Sequence, residues 1–487
     1  MIIEILGAKM LSPYVGLSHF VWTAQIAVTL IALACGYYVG GRVADRSPQI
    51  AWLFCAILAA AAYLGLTVLI CAPVAYLCLD LNLAVGSLLA SAILFFIPLA
   101  LLAMTCPFLV RVITSSVTGV GTNVGRLTAI STVGSFLGTM LIGYVMIPFL
   151  PNSVTMFLTA LALMLVCTGY FGLFRRPAVV PLALILALAL ATGLSLRLSL
   201  ARQPARMLEL FHGNSHFGQL QVMDSPNGSK RYYLNDFLVQ NTYDPFRKQS
   251  MSQFTYMLAG LGRAYTTNVQ DVLCIGLGVG IVPMDFARGG CSVDVAEINP
   301  AVVPVAAHYF NLDTNKLHIT IDDGRHFLNR CKKKYDVVVL DAFLGDSSPS
   351  HLLTRQAFTS VRNVLRPEGV LVINAFASLD PGHDFFAASL NKTLKAAFQN
   401  VRIHSNGDGA LFFVASDRPN LEFVHPPDLE QMHPDVVEQA TETYHSTVDT
   451  EPEHGLVLTD NYNPAEFYDA RNREDLRRRL ARDARNM

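Results

Sequence analysis

The chain has 487 residues, 52% of them hydrophobic and only 15% charged. Soluble proteins of ordinary composition carry roughly 25% charged residues, so a single soluble globular protein is excluded. Of the 73 Asp, Glu, Lys and Arg residues, 11 fall in residues 1–200 and 62 in residues 201–487, while a net charge of −1 offers no basic surplus for nucleic acid.

The two parts are therefore built for different solvents. Residues 1–200 hold several apolar runs of the roughly 20 residues that cross a bilayer. Spans are expected near 18–39, 50–72, 84–109, 127–149, 153–173 and 178–198. Repeated spans rule out a cleaved signal peptide as the whole explanation. Gly134, Ser135, Gly138, Thr139 and Gly143 recur as small residues in the fourth span, where they would let helices approach closely in a packed bundle. The connection Gly36-Tyr-Tyr-Val-Gly-Gly-Arg-Val-Ala-Asp-Arg46 resembles the major-facilitator loop that pairs Arg with Asp at a helix end. A structural turn in a membrane anchor is the favoured reading, because no intramembrane cluster of ionisable residues marks a transport path.

Arg42 and Arg46 follow the first span, Arg111 and Arg126 flank the connection after the third, and Arg175 and Arg176 follow the fifth. The positive-inside rule puts these connections in the cytoplasm. Six spans would then send residues 201–487 outside, whereas Arg197, Arg202 and Arg206 pull the other way. The expected location is a multi-pass protein of the inner membrane with its polar half in the cytoplasm, where the donor discussed below is made. The lipid bilayer is thus an expected partner.

Residues 201–215 are expected to form a linker. Residues 216–243 alternate as strands about a turn at Ser225-Pro-Asn-Gly228, giving a small antiparallel β unit within 216–262, followed by a helix near 246–262. From about 270 onward strands alternate with helices, the pattern of a mostly parallel α/β sheet. The strand Val269–Ile275 runs into Gly276-Leu-Gly-Val-Gly280, where Gly276, Gly278 and Gly280 let the backbone turn sharply and approach a ligand. The next strand, Cys291–Ala296, ends in Glu297, placed to accept hydrogen bonds from ribose hydroxyls. A third strand, Leu317–Ile321, leads into Asp322 and Asp323, either of which can accept from an adenine amine. The fourth, Tyr335–Leu340, ends in Asp341. Three acids in register at the strand ends where α/β folds bind ligands, with G-x-G-x-G rather than G-x-G-x-x-G, point to a nucleoside cofactor other than a dinucleotide. The nine cysteines are scattered at neither metal-ligand nor redox spacing, so disulfides, zinc and any other metal are not expected.

Cys274-Ile-Gly-Leu-Gly-Val-Gly280, Glu297-Ile-Asn-Pro300, Asp322-Asp-Gly-Arg-His-Phe-Leu328 and Tyr335-Asp-Val-Val-Val-Leu-Asp-Ala-Phe343 together resemble the spermidine synthases, the polyamine aminopropyltransferases. Leu234-Asn-Asp-Phe-Leu-Val-Gln240 is similar to that family's Leu-Asp-Gly-x-x-Gln segment, and Pro349-Ser-His-Leu-Leu-Thr354 fits its integral-membrane branch. The resemblance implies an N-terminal multi-span α-helical membrane bundle (1–200) and a C-terminal α/β, class I methyltransferase-like, Rossmann-type domain (263–487). It implies S-adenosylmethionine or its decarboxylated form as co-substrate. Glu297 would hold the ribose, Asp322 or Asp323 the adenine, and Gly276, Gly278 and Gly280 the tail and sugar; Gln240 would help hold the donor. Asp341 would sit beside the sulfonium and the acceptor amine, a small molecule.

An amine acceptor is mostly protonated near neutral pH, because alkylamine pKa values lie near that of Lys, about 10.4. A carboxylate that orients it and takes its proton is therefore useful. Two departures concern the acceptor. The second Asp of the family's loop is replaced by Leu344, with Asp346 nearest, and the Tyr-His-Glu element is replaced by Phe254-Thr-Tyr-Met257. Asp460, in Leu458-Thr-Asp-Asn-Tyr-Asn-Pro464, is the other candidate acid. The expected function is aminopropyl transfer from an adenosyl sulfonium to an amine, releasing methylthioadenosine. Methyl transfer, sulfonium cleavage without an acceptor, and a transporter or sensor with a nucleoside-binding domain are the alternatives, and a homo-oligomer stays open.

Overall fold

Uninterrupted apolar sequence forms helices where side chains can be apolar all round, and most described residues up to Phe174 do so. The computed structural model describes residues 1–15, 19–78, 81, 83–114, 119–174, 207–236, 238–342 and 349–468. The chain divides into two units at Ala205 and Arg206.

In the first unit five helices are long and apolar enough to cross a membrane: Phe20–Arg46, Ile50–Cys78, Ala84–Ile113, Val120–Phe149 and Asn152–Phe174. They coincide with the first five expected spans, with several ends moved outward; the sixth, 178–198, lies outside the described residues. A further helix, Ile2–Val15, was not among the expected elements and buries Leu6 and Leu11 completely. Two of the long helices widen into a π-helical turn, Ala92–Phe96 and Ile142–Met146, each just before a proline, Pro98 and Pro148. Proline has no N–H to donate to the preceding turn. The Leu94 carbonyl, which Pro98 cannot serve, accepts instead from the Thr67 hydroxyl at 3.2 Å, and the Ile93 carbonyl accepts from Tyr63 at 2.6 Å.

The expected close packing in the fourth span is not found. Among the described residues, Gly134 and Gly143 have open space where a side chain would stand, Gly138 meets only Ile2, and the helix Val120–Leu141 buries no residue. The tight crossing lies elsewhere. A Cβ on Gly36 would stand 2.2 Å from the Ala100 carbonyl oxygen, and one on Gly40 would stand 2.7 Å from the Met104 Cα. At the Arg-Asp loop, Asp45 pairs with Arg111 at 3.2 Å with both side chains exposed, a geometry that contributes little stability.

The second unit contains two sheets. Strands β1 (Leu208–Ser215), β2 (Gly218–Asp224), β3 (Arg231–Asn235), β4 (Leu238–Asp244) and β5 (Gln249–Ser250) form an antiparallel sheet in chain order. Strand β1 lies inside the segment expected to be a linker. The expected helix at 246–262 starts later, at Gln253, and ends at Ala264. Pro245 follows Asp244, whose carboxylate accepts from the Phe246 and Arg247 N–H groups and holds a turn where the helix was expected to start.

The second sheet has the order β13-β11-β12-β10-β9-β6-β7-β8. Its strands are β6 (Asp271–Ile275), β7 (Ser292–Glu297), β8 (His318–Ile321), β9 (Tyr335–Leu340), β10 (Leu365–Phe376), β11 (Asn400–His404), β12 (Ala410–Ser416) and β13 (Thr447–Val448). Strands β6 to β10 pair in parallel, and β12, β11 and β13 add antiparallel edges. Central strands are apolar at most positions because helices cover both faces. Val272, Cys274, Val337, Val339 and Val372 face one core with the helices Gln253–Ala264 and Ile281–Arg288. Leu273, Ile275, Val338, Leu340 and Ile373 face the other, with Arg355–Val364 and Phe385–Lys395. Strand order reverses between β6 and β9, so the carboxyl ends of those strands open a crevice.

Candidate active site

A cavity of about 980 Å³ occupies that crevice, and its wall is built from successive strand ends. At the end of β6 the chain turns through Gly276, whose φ is +98°. A Cβ there would stand 2.2 Å from the Asp341 carbonyl oxygen, so only glycine lets the two strand ends meet. Gly278 (φ +53°) faces open space, and Gly280 (φ +83°) starts the helix Ile281–Arg288. Gly276 and Gly278 line the cavity.

Glu297, at the end of β7, is buried on the wall. Its two oxygens accept from the Leu277 N–H at 2.8 Å and the Asn299 N–H at 2.7 Å, which ties the glycine turn to the acid. Burial pushes its carboxyl above the ordinary range, and those backbone donors oppose the shift. After β8 the two neighbouring acids separate. Asp323 lines the cavity, whereas Asp322 is outside the lining and bonds His326 Nδ1 at 2.8 Å. Asp323 caps the helix Gly324–Arg330 by accepting from the Arg325 and His326 N–H groups, and its other oxygen meets His351 Nε2 at 2.9 Å. Burial alone would raise this carboxyl; the His326 and His351 bonds outweigh it and hold it below the usual range.

Asp341 follows β9 on the cavity wall. The β9–β10 register pairs Leu340 with Ile373, which sets Asn374 beside Asp341, and Asn374 Nδ2 donates to Asp341 Oδ1 at 3.1 Å. Burial in protein pushes the Asp341 carboxyl up to about 6, against the lowering effect of Asn374. A carboxylate so placed can take a proton near neutral pH. Gln240, on β4, also lines the cavity.

Of the remaining expected residues, Gly280 caps its helix without lining the cavity, and Asp346 lies outside the described residues. Asp460 is placed away from the lining. Arg325 reaches both its oxygens, at 3.2 and 2.9 Å, and Thr354 donates to it at 2.6 Å. The Arg325 bonds hold the Asp460 carboxyl below its usual range. Asp460 therefore braces the Pro349–Thr354 segment against Arg325, which also donates to the His351 carbonyl at 2.9 Å.

Sequence reasoning missed Asn374, His351, Asp380 and Asp408, all on the cavity wall. Asn374 carried a signal, a single polar residue in the buried run Val370–Ala375. Asp408, in Asn406-Gly-Asp-Gly409, has the composition of an ordinary hairpin turn and carried none.

Residues 251–405 match the family described as spermine/spermidine synthase domain. Over 236 residues the chain is 29% identical to the polyamine aminopropyltransferase of Vibrio vulnificus, covering 46% of this chain and 77% of that protein. Over 139 residues it is 31% identical to an N-terminal histidine N-methyltransferase of Emericella nidulans, covering 27% of this chain and 24% of that one. Among solved structures, spermidine synthase from Thermotoga maritima aligns over 50% of this chain and 81% of its own, with 17% identity and a TM-score of 0.37. The second unit thus carries a spermidine synthase-type domain, and the chain is an aminopropyltransferase-like transferase.

Proposed function

We propose that the protein transfers an aminopropyl group from decarboxylated S-adenosylmethionine to an amine, releasing methylthioadenosine. The observation that carries this reading is the character of the cavity. Among the described residues its wall holds Glu297, Asp323, Asp341, Asp380 and Asp408 but no Lys or Arg. Such a wall attracts a sulfonium and an ammonium and offers no cation to the carboxylate of an intact S-adenosylmethionine. Glu297 and Asp323 sit at the ends of adjacent strands, where ribose hydroxyls and the adenine amine would be held. Asp341 orients the acceptor and takes its proton. The amine lone pair forms the new N–C bond, the C–S bond breaks, and its electron pair leaves on a now neutral sulfur. Alignment of nitrogen, carbon and sulfur in the crevice supplies much of the remaining acceleration.

The local similarity to a histidine N-methyltransferase favours a second reading, methyl transfer from the intact donor to a nitrogen. The five apolar helices support residence of the first unit in a lipid bilayer, and the second unit is read as cytoplasmic, on the side where the donor is made. Detergent-solubilised full-length protein incubated with either donor, with and without amine, separates the readings. Methylthioadenosine formed only from the decarboxylated donor plus amine is the expected result. S-adenosylhomocysteine from the intact donor identifies the methyltransferase instead, and methylthioadenosine from the intact donor alone identifies sulfonium cleavage. A reporter fused at the C-terminus checks sidedness, with activity on the cytoplasmic side expected.

A further inference from the structure

Thr29 and Thr67 are buried in the helical unit, and both donate to backbone carbonyls, Thr29 to Gln25 at 2.8 Å and Thr67 to Leu94 at 3.2 Å. Three side chains of the same unit break that pattern. Gln25, Ser87 and Ser91 are each 0% exposed. Both amide atoms of Gln25 and the Oγ atoms of both serines lack a hydrogen-bond partner among the described residues. A carboxamide or hydroxyl left unserved is costly in any apolar surrounding, unless a ligand or water meets it.

Helix register brings these groups together. Gly36 meets Ala100 and Gly40 meets Met104, so the helices Phe20–Arg46 and Ala84–Ile113 run in parallel. Carried back by equal numbers of residues along both, this register sets Gln25 level with Leu89, between Ser87 and Ser91. The π-helical turn Ala92–Phe96 shifts that level by about one residue, which keeps it between the serines. Ser87 and Ser91 are four residues apart and share one face of their helix. The helix Ile2–Val15 packs against both neighbours and closes over the same place. A Cβ on its Gly7 would stand 2.9 Å from Gln25 Nε2 and 3.0 Å from Phe95 Cε2, so glycine lets that helix approach the amide.

The chemistry of these groups limits what they can hold. A carboxamide offers two donors and one acceptor, and each hydroxyl offers a donor and an acceptor. Residues 20–35 and 83–100 contain no Asp, Glu, Lys, Arg or His. On the covering helix Glu4 and Lys9 are only partly buried. No buried charge is present to neutralise an ion, so an ionic ligand would stay unpaired. We infer that Gln25, Ser87 and Ser91 form a closed binding site for a small neutral molecule of the amide class. Such a molecule pairs head to tail with the Gln25 carboxamide, accepting from Nε2 and donating to Oε1, and its remaining positions meet the serine hydroxyls. The helical unit thereby carries a recognition site of its own, independent of the transferase chemistry of the second unit.

The chain supplies a reporter for the test. Trp22 lies three residues before Gln25 on one helix face, and Trp52 is the only other tryptophan. Detergent-solubilised full-length Trp52→Phe protein is titrated with acetamide, and separately with methylammonium, while Trp22 emission is followed. A saturable change with acetamide and none with methylammonium is expected. In the same background Gln25→Leu should raise the half-saturating concentration roughly tenfold or more, the effect of losing two hydrogen bonds. Ser91→Ala should raise it by a smaller factor, and keeps the test decisive if the leucine variant does not fold. Melting temperatures give a second readout. Without acetamide Gln25→Leu should melt above its parent, because it removes unserved polar atoms, and saturating acetamide should narrow or reverse that order. The inference is overturned by an unsaturable response, by an equal response to methylammonium, or by half-saturation unchanged in the folded variants.

Discussion

The two units place the same kinds of side chain in opposite ways. In the helical unit large apolar residues point outward: Phe136 is 60% and Phe149 74% exposed, and polar groups such as Thr67 are turned inward to serve carbonyls that prolines leave free. In the α/β unit the central strands bury most of their apolar side chains, and Glu297, Asp323, Asp341, Asp380 and Asp408 line one cavity. Residence of the first unit in a bilayer, as proposed above, accounts for the difference. Lipid rewards an apolar exterior and punishes unserved backbone groups, whereas water rewards an apolar interior and makes buried charge costly unless it is paired.

Substitutions can sharpen or break this contrast. The largest effect is expected at Asp341. Asp341→Asn should lower kcat by about 10²–10⁴-fold, the scale of general-base catalysis, while calorimetry shows methylthioadenosine still binding. Arg111→Ala, which breaks the exposed pair with Asp45 in the helical unit, should leave kcat within about twofold; an equal loss there would break the contrast. The same carboxyl sets a pH dependence. Raised to about 6, it is neutral below that pH, so kcat at saturating amine should fall as pH drops through about 6, and this limb should vanish in Asp341→Asn. The sign for stability is opposite. Between the unfolded value near 3.9 and the folded value near 6 the native state binds the extra proton, so this group makes folding less favourable as pH rises through that window.

Next in size is a charge placed on each surface. Phe136→Arg, near the middle of the Val120–Phe149 helix, should cost roughly 2.5–3.5 kcal/mol of membrane insertion, read as loss of protein from the membrane fraction. Phe246→Arg, on the α/β unit and 76% exposed, should change thermal stability by no more than about 0.5 kcal/mol. Equal tolerance at both positions would show that the helical exterior is not in lipid.

Two glycines of one turn should differ sharply in their effect. Gly276→Ala brings a Cβ against the Asp341 carbonyl and should abolish donor binding and lower the melting temperature. Gly278→Ala, in open space at φ +53°, should cost about 1 kcal/mol and keep the fold. The smallest effect is at His351, a positioning residue for the donor through Asp323. His351→Ala should raise the donor KM by about threefold to tenfold with little change in kcat, and His351→Gln, which keeps a donor N–H, should recover part of it. A change in kcat alone would place His351 elsewhere in the mechanism.

Much of this was legible in the residues. Charge counts separated the units, apolar runs located five long helices to within a few residues at most ends, and the strand-glycine-strand-acid series placed Gly276, Glu297 and Asp341. The reason is that solvent and backbone geometry act on local sequence: an apolar run has few alternatives, and a strand end followed by glycines must turn. Which of two adjacent acids faces the cavity was not legible. Asp323 and Asp322 differ in environment only because one caps a helix beside His351 and the other turns to His326. Nor could sequence separation reveal that Asp460 reaches Arg325, or that Asn374, Asp380 and Asp408 continue the wall from Asp341. Those relations follow from strand order, in which β10 lies beside β9 and β12 beyond it, and long-range pairing of that kind leaves no local trace. The residues by themselves determined two units of opposite composition and a glycine turn between strand and helix; tertiary structure alone decided which acids share one cavity, because only the folded sheet brings their strand ends together.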